Sequence, residues 1–446
     1  MKIFILIWLG QLISLIGSGL TAFALDVWVY QTTGSIFQFT LLTLFTTLPF
    51  VIISPIAGVL VDRWSRRWTM IISDTCSALS TLSIALLFAS HHIEIWHIYL
   101  ANAVSSSFSA FQWPAYTAAT TLLVPKEDLN RASGLTQFGK SITQLIAPGL
   151  GGVLLGVIHV KGVILIDFAT LFFALIPLLL FRLPEINTAT KEDSLSSIFE
   201  EMNYGWRFLT NRPGLLGVLI LFTAYSFLSG MTNILIIPLV LSFTSTVGLG
   251  IIMTICGSGM LIGSLAISAW GQLLPSISIF LGSMLLCGLF TMMAGLCPSA
   301  SLFTSFEFLV FFSIPFIRTS EQVIFQKKVA PDMQGRVFSF IATLSGASLP
   351  FAYLVAGPMA DRVFEPLMAV DGPLAGSLGH IMGTGQGRGI GLLYIVMGIL
   401  LILTTGVGYL YPRLRLVEDE LPDVISDEVT TTSDDALSDE ALATSN

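Results

Sequence analysis

The chain has 446 residues, of which 54% are hydrophobic and only 11% carry a formal charge. That charge share is less than half of what soluble domains carry, so water is not the solvent for most of this surface. The net charge of −8 does not describe the body: ten acids and no Lys or Arg follow Arg415, leaving 20 bases against 18 acids before it, and no basic stripe points to nucleic acid.

Apolar runs long enough to cross a bilayer, about 20 residues each, recur from Ile3 to Tyr411. In chain order they predict helices over 3–29, 36–61, 68–90, 97–123, 133–157 and 161–182. A polar stretch, 183–212, follows, and six more helices are predicted over 213–242, 248–271, 276–298, 302–325, 335–363 and 389–411. Backbone in lipid must satisfy its own hydrogen bonds, and these runs are too long for barrel strands, so helices are required. The first run exceeds a signal-peptide core and no small-residue cleavage site follows it, so it is expected to stay as the first helix.

The expected class is therefore an all-α membrane protein with twelve transmembrane helices in two six-helix blocks, 1–182 and 213–412. The linker 183–212 is expected to carry an amphipathic helix, because Leu195, Ile198, Phe199, Met202, Trp206 and Leu209 fall at helical spacing. The tail 413–446 is acidic, and from 417 on it has too little to bury to fold. The Gly-rich stretch 364–388 closes no nucleotide-binding frame and is expected to be a flexible turn.

Basic residues set the expected orientation. With the N-terminus in the cytoplasm, sixteen of the twenty Lys and Arg residues lie at or near the inner side. That pattern places both termini in the cytoplasm of an inner-membrane protein. The blocks also repeat: a shift of 205 positions carries Val124 onto Val329, Arg131 onto Arg336, Gly152 onto Gly357 and Gly58 onto Gly263. Two parallel halves about an axis along the membrane normal form a transporter architecture, with the substrate between them near the midplane.

Between the second and third helices the chain reads Gly58-Val-Leu-Val-Asp62-Arg63-Trp-Ser65-Arg66-Arg67. This resembles the loop motif G-x-x-x-D-R-x-G-R-R of the major facilitator superfamily, with Ser65 where the family prefers Gly. Gly58 lets a neighbouring helix approach closely. Asp62 is expected to cap the third helix, with Arg63, Arg66 and Arg67 pairing with it or with Asp74. In the family this cluster locks the outward-facing state, so the resemblance implies a gate at Gly58, Asp62, Arg63, Arg66, Arg67 and Asp74. In the second half Gly263 is kept, but Ile267 and Ser268 replace the Asp-Arg pair.

Gly134, Pro148, Gly151 and Gly152 on the fifth helix resemble the antiporter motif G-x8-G-x3-G-P-x2-G-G, with Thr143 and Ala147 replacing two glycines. In the family that motif marks exporters driven by proton counterflow. The wider pattern, including Phe111 to Ala115 and Gly335 to Ser339, is similar to the branch with macrolide-type drug efflux and siderophore exporters.

Charges inside a membrane are costly and invite a functional reading. In the family fold, helices 1, 4, 7 and 10 line the cavity. Asp26 and Glu307 are the candidates for proton coupling; Arg318 and Glu321 are spaced to pair on one helix face. Asp167 falls on the sixth helix, which the family keeps at the periphery. Gln112 and Tyr116 are candidate cavity residues.

No cofactor or metal is expected. His91, His92, Glu94 and His97 cluster before the fourth helix but fit no standard ligand spacing, and Cys76, Cys256, Cys287 and Cys297 read as packing residues. With no nucleophile–base set in the apolar runs, an enzyme is not expected. The expected function is proton-coupled efflux of small amphipathic or hydrophobic molecules by a monomer in lipid. A facilitator or importer of another solute is the alternative, and a non-transporting scaffold a remote one.

Overall fold

The computed structural model describes residues 2–125, 128–181, 205–270, 275–297 and 299–420. Four helices open the chain: α1 (Lys2–Thr33), α2 (Ile36–Arg63), α3 (Arg66–Ala89) and α4 (Ile95–Leu123). One helical run, Leu129–Leu180, holds α5 and α6, divided at His159, whose φ of 58° and ψ of 176° are not helical. The second half contains α7 (Pro213–Leu241), α8 (Thr246–Trp270), α9 (Ser276–Leu296), α10 (Ala300–Lys328), α11 (Pro331–Met359) and α12 (Arg388–Leu410). Ten stretches are long and apolar enough to cross a membrane, with α5 and α6 taken as one. Dividing that run and adding α4, which Ser, Thr, Asn and Gln make more polar, gives the twelve expected.

The helix starts are set by local chemistry. Ser35 is the N-cap of α2, and its hydroxyl accepts from the Gln38 amide at 3.3 Å. Glu94 and His97 form a capping box at α4: His97 Nδ1 accepts from the Glu94 amide at 3.0 Å, and the Glu94 carboxylate accepts in return from the backbone of the first turn. The His-rich cluster before α4 therefore includes the start of a helix. Proline opens α7 and α11, where its missing N–H costs nothing.

Within the first half, α1 packs along the α5–α6 run, α2 and α3 pack on α4, and α3 also touches that run. Within the second, α9 lies between α10 and α12, α8 packs on α10, and α7 packs on α11 and α12. The halves meet along two seams, α2 on α11 and α5 on α8. We call the side bearing the α2–α3 loop the basic face and the opposite side the far face. The interiors of the halves differ. One continuous apolar core fills the second half, where Phe280, Phe303, Phe325 and Tyr394 are fully buried, and it reaches Phe23, Val27, Tyr30, Ile36 and Phe39 of α1 and α2. The first half has several smaller apolar clusters arranged around a polar cavity.

Three stretches depart from the expectations or extend them. Residues 364–388 are not a loose turn: Met368, Met382 and Leu392 build a small apolar core there, and Gly383, Gly385 and Gly387 supply the positive φ that the turns require. Past α12, Pro412–Arg415 and Val417–Glu420 are helical, with Leu414 and Val417 buried in the core of the second half. Val417 to Glu420 are thus ordered by packing, against the expectation from composition; the tail from 421 lies outside the described residues. So do 182–204, which hold most of the expected amphipathic linker helix. Its last turns, residues 205–210, are helical, with Leu209 fully buried.

Candidate functional site

The polar cavity of the first half has a volume of about 550 Å³ and is walled by α1, α2, α3, α4 and α6. Most of the side chains lining it carry a hydroxyl, amide or carboxyl group, and they include Asp26, Asp74 and Asp167 but no Lys or Arg. Two hydrogen-bond relays cross it. Gln112 Nε2 donates to Gln11 Oε1 at 2.9 Å, and Gln11 Nε2 donates to Asp74 Oδ2 at 2.8 Å, which ties α4 to α1 to α3. Ser18 Oγ donates to Asp167 Oδ1 at 3.0 Å, tying α1 to α6. In a low-dielectric setting such relays hold their members in fixed directions. Asp26 and Gln112 line this cavity as expected for cavity residues. Asp74 shows no ion pair with Arg66 or Arg67, the two described arginines of the motif; it belongs to the Gln11 relay. Tyr116 is buried in an apolar cluster with Ile7, Met70 and Ala119 and does not line the cavity.

Asp167 was missed as a cavity residue. Its place on a nominally peripheral helix concealed that α1 lies directly against it, with Gly17 facing its Cα. A carboxyl in an apolar run was itself the available signal.

Glu307 lies in the other half. It is 2% exposed, beside Cys256, Cys287 and Tyr394. Among the described residues, no hydrogen bond or ion pair reaches its carboxyl. Arg318 is exposed and Glu321 buried; they lie near each other, with Tyr225 also close to Arg318, without a direct ion pair.

In the loop motif, α2 runs on through Arg63 and Ser65 is the N-cap of α3. Asp62 therefore sits in the last turn of α2 and not at the cap of α3. The side chains of Gly58, Asp62 and Arg63 lie outside the described residues. Arg67 takes a different partner from the ones expected: its Nε donates to Leu178 O at 2.6 Å and a terminal nitrogen donates to Leu179 O at 2.8 Å. It thus caps the carbonyl end of α6. Arg66 Nε is buried and meets no acceptor among the described residues.

The small residues of α5 point in different directions. A side chain at Gly152 would lie 2.8 Å from Thr246 O of α8, and one at Gly151 would lie 2.8 Å from the Phe23 ring of α1. Gly134 has nothing within 4 Å. Pro148 is in the same seam: a side chain at Gly250 of α8 would lie 2.7 Å from its carbonyl oxygen.

The model of the Major Facilitator Superfamily matches residues 7–353. Macrolide efflux protein A of Streptococcus pyogenes is 30% identical over 366 residues, covering 81% of this chain and 90% of that protein. The enterobactin exporter EntS of Shigella flexneri is 28% identical over 220 residues, 49% of this chain and 52% of that one. A crystal structure of a bacterial homologue of the human lysosomal transporter Spinster, inward-facing and unoccupied, superimposes with a TM-score of 0.72 at 13% identity, covering 95% of this chain and 98% of that one. Twelve helices in two related halves, a polar cavity and these matches agree: the chain belongs to the Major Facilitator Superfamily and is a membrane transporter, not an enzyme.

Proposed function

We propose that this transporter exports small amphipathic molecules in exchange for protons, by alternating access between the two halves. Efflux is the activity in the names of the macrolide and enterobactin relatives. In this reading the blocks 1–182 and 213–412 rock as units, the linker 183–212 joins them, and both termini face the cytoplasm of the inner membrane. The polar cavity offers hydroxyl and amide partners to a cargo's polar groups, and apolar wall residues such as Leu15, Leu25, Phe50 and Leu171 take its hydrocarbon. The Asp62–Arg66 cluster acts as the gate on the basic face.

The observation that carries proton coupling is Glu307. An ionised carboxylate buried without a partner costs several kcal/mol, so a carboxyl placed there is suited to take a proton in one state and release it in another. The test is transport in proteoliposomes with a pH-sensitive dye inside. Macrolide addition should move protons in the parent protein, and Glu307→Gln should abolish that movement while cargo still binds. Cargo-driven proton movement that persists in Glu307→Gln would remove this residue from the coupling; its absence in the parent with every amphipathic cargo would remove coupling itself. Net uptake of cargo against its gradient would favour an importer.

A further inference from the structure

Past α11 the helix widens into a π turn, Ala360–Phe364, before Glu365–Leu367. Such turns recur at functional sites, because the extra residue re-aims the side chains around it. Here the stretch carries two carboxylates, each seated on the start of a different helix. Glu365 stays within its own half: Oε2 accepts from the Gly387 amide at 3.2 Å and Oε1 from the Ile390 amide at 3.0 Å, at the start of α12.

Asp361 crosses to the other half. Its Oδ2 accepts from Ser35 Oγ at 2.8 Å and from the Phe37 amide at 2.8 Å, and its Oδ1 accepts from the Ile36 amide at 3.1 Å. All three donors belong to the first turn of α2. That turn already has its own cap in Ser35, which accepts from Gln38. Asp361 is thus not needed to start α2, and its three bonds join the halves. Free N–H groups and the positive dipole end of a helix favour a carboxylate at this place. Arg362 adds to the contact, with its guanidinium 5.7 Å from the Phe37 ring.

The second seam has no counterpart. Shifting Asp361 back by the repeat interval of 205 gives Gly156. Beside that seam on the far face, α1 bonds to α8 through neutral groups, from Gln31 Nε2 to Thr246 Oγ1 at 3.1 Å. The α5–α8 bond from Thr254 Oγ1 to Leu145 O is neutral as well, whereas the three bonds to Asp361 are charge-assisted.

We propose that Asp361 is the gate-positioning residue of the far face: it holds the halves closed there by seating on the first turn of α2, and its release from that turn is the step that lets the far face open. The inference rests on the alternating-access reading but not on the coupling ion or the direction of transport.

The experiment uses the full chain in lipid nanodiscs, with Cys76 and Cys297 replaced by Ser and spin labels at His92→Cys and Val370→Cys, exposed sites in opposite halves on the far face. Electron–electron distances between the labels report the opening. Asp361→Asn keeps the shape but loses the charge, and should raise the ratio of long-distance to short-distance populations by on the order of tenfold. Asp361→Glu should restore part of the closed population. Glu365→Gln, in the same π segment but bonded within its own half, should leave the distances as in the parent. A parent-like distribution for Asp361→Asn, or an equal shift in Glu365→Gln, overturns the proposal. If Asp361→Asn does not fold, Ser35→Ala decides: it keeps the carboxylate but removes one of its three donors, and should shift the populations in the same direction by less, whereas a parent-like distribution overturns the proposal. Proton movement is not read, so a failure of the coupling reading would leave this result unchanged.

Discussion

Gly152 and Gly357, related by the 205-residue repeat, each seat a helix of the opposite half. A side chain at Gly152 would lie 2.8 Å from Thr246 O and 3.2 Å from Gly250 Cα on α8. One at Gly357 would lie 2.8 Å from Phe37 Cα on α2 and closer still to the Thr40 hydroxyl. The two seams between the halves are thus the same contact made twice. Helices come this near only where at least one residue of the contact has no side chain to interpose.

Because the seams close by backbone approach, adding a methyl group should wedge them. Gly152→Ala and Gly357→Ala should each reduce transport at least tenfold, since forced repacking costs about 1–3 kcal/mol. Membrane insertion should be unchanged. Gly134→Ala belongs to the same helix-5 motif but has open space around it, so its transport rate should stay within about twofold of the parent, as surface changes usually do. Cargo flux in inverted vesicles reads all three. Equal losses at Gly134 and Gly152 would show that the motif acts through helix flexibility and not through the seam.

The polar relay makes a second prediction. Gln112→Ala removes the donor to Gln11, and Gln11→Ala removes the donor to Asp74. Each leaves a half-buried polar group without its partner, at about 1 kcal/mol. Both should raise the KM for cargo several-fold and lower thermal stability, and the double variant should cost less than the sum of the singles, because the bonds form one chain. Fluorescence-detected melting together with transport kinetics would check this. Additive effects would mean that the two bonds act independently.

How far the sequence could be read differed between features, for physical reasons. The twelve helices were legible because lipid forces one secondary structure and sets its length; the α5–α6 break was placed to within a few residues. The repeat was legible in the few positions where backbone contact forbids a side chain, Gly152 and Gly357 among them. Directions around a helix were not legible. A helix that is apolar on every side gives no periodicity to show which residues face inward, so Tyr116 is only a candidate from sequence and Asp167 is set at the periphery, whereas Asp167 lines the polar cavity and Tyr116 packs in an apolar cluster. The arginine partners were hidden for another reason. Arg67 meets the carbonyls of Leu178 and Leu179, and a backbone partner leaves no mark in side-chain identity.

That partner predicts different consequences for loss of Arg67 and loss of Arg66. Arg67→Ala should expose the carbonyl end of α6 and destabilise the protein by about 1–2 kcal/mol, read as a lower melting temperature with flux per folded molecule retained. Asp62→Asn and Arg66→Ala should do the opposite, impairing flux while leaving insertion and melting close to the parent. Full flux in both of the latter would remove the basic-face gate.

The last prediction concerns the stretch after α12. The Glu418 carboxylate accepts from the Ser276 amide through Oε1 and from the Ile277 amide through Oε2, both at 3.1 Å, so it caps the start of α9. Lys328, 5% exposed at the end of α10, donates from Nζ to the Glu418 carbonyl at 2.6 Å. One residue past the last membrane helix therefore ties two others, α9 by its side chain and α10 by its backbone. Glu418→Ala should lose the cap at α9, worth about 1 kcal/mol, and keep the Lys328 bond, which needs only the carbonyl. Glu418→Gln, which retains one acceptor oxygen, should lose less. Lys328→Ala should cost more than Glu418→Ala, because it empties a buried position as well as breaking the bond. Melting of the detergent-solubilised protein should therefore rank parent, Glu418→Gln, Glu418→Ala, Lys328→Ala, from highest to lowest. A Glu418→Ala protein as stable as the parent would mean that water caps α9 equally well and that this stretch is held by Leu414 and Val417 alone.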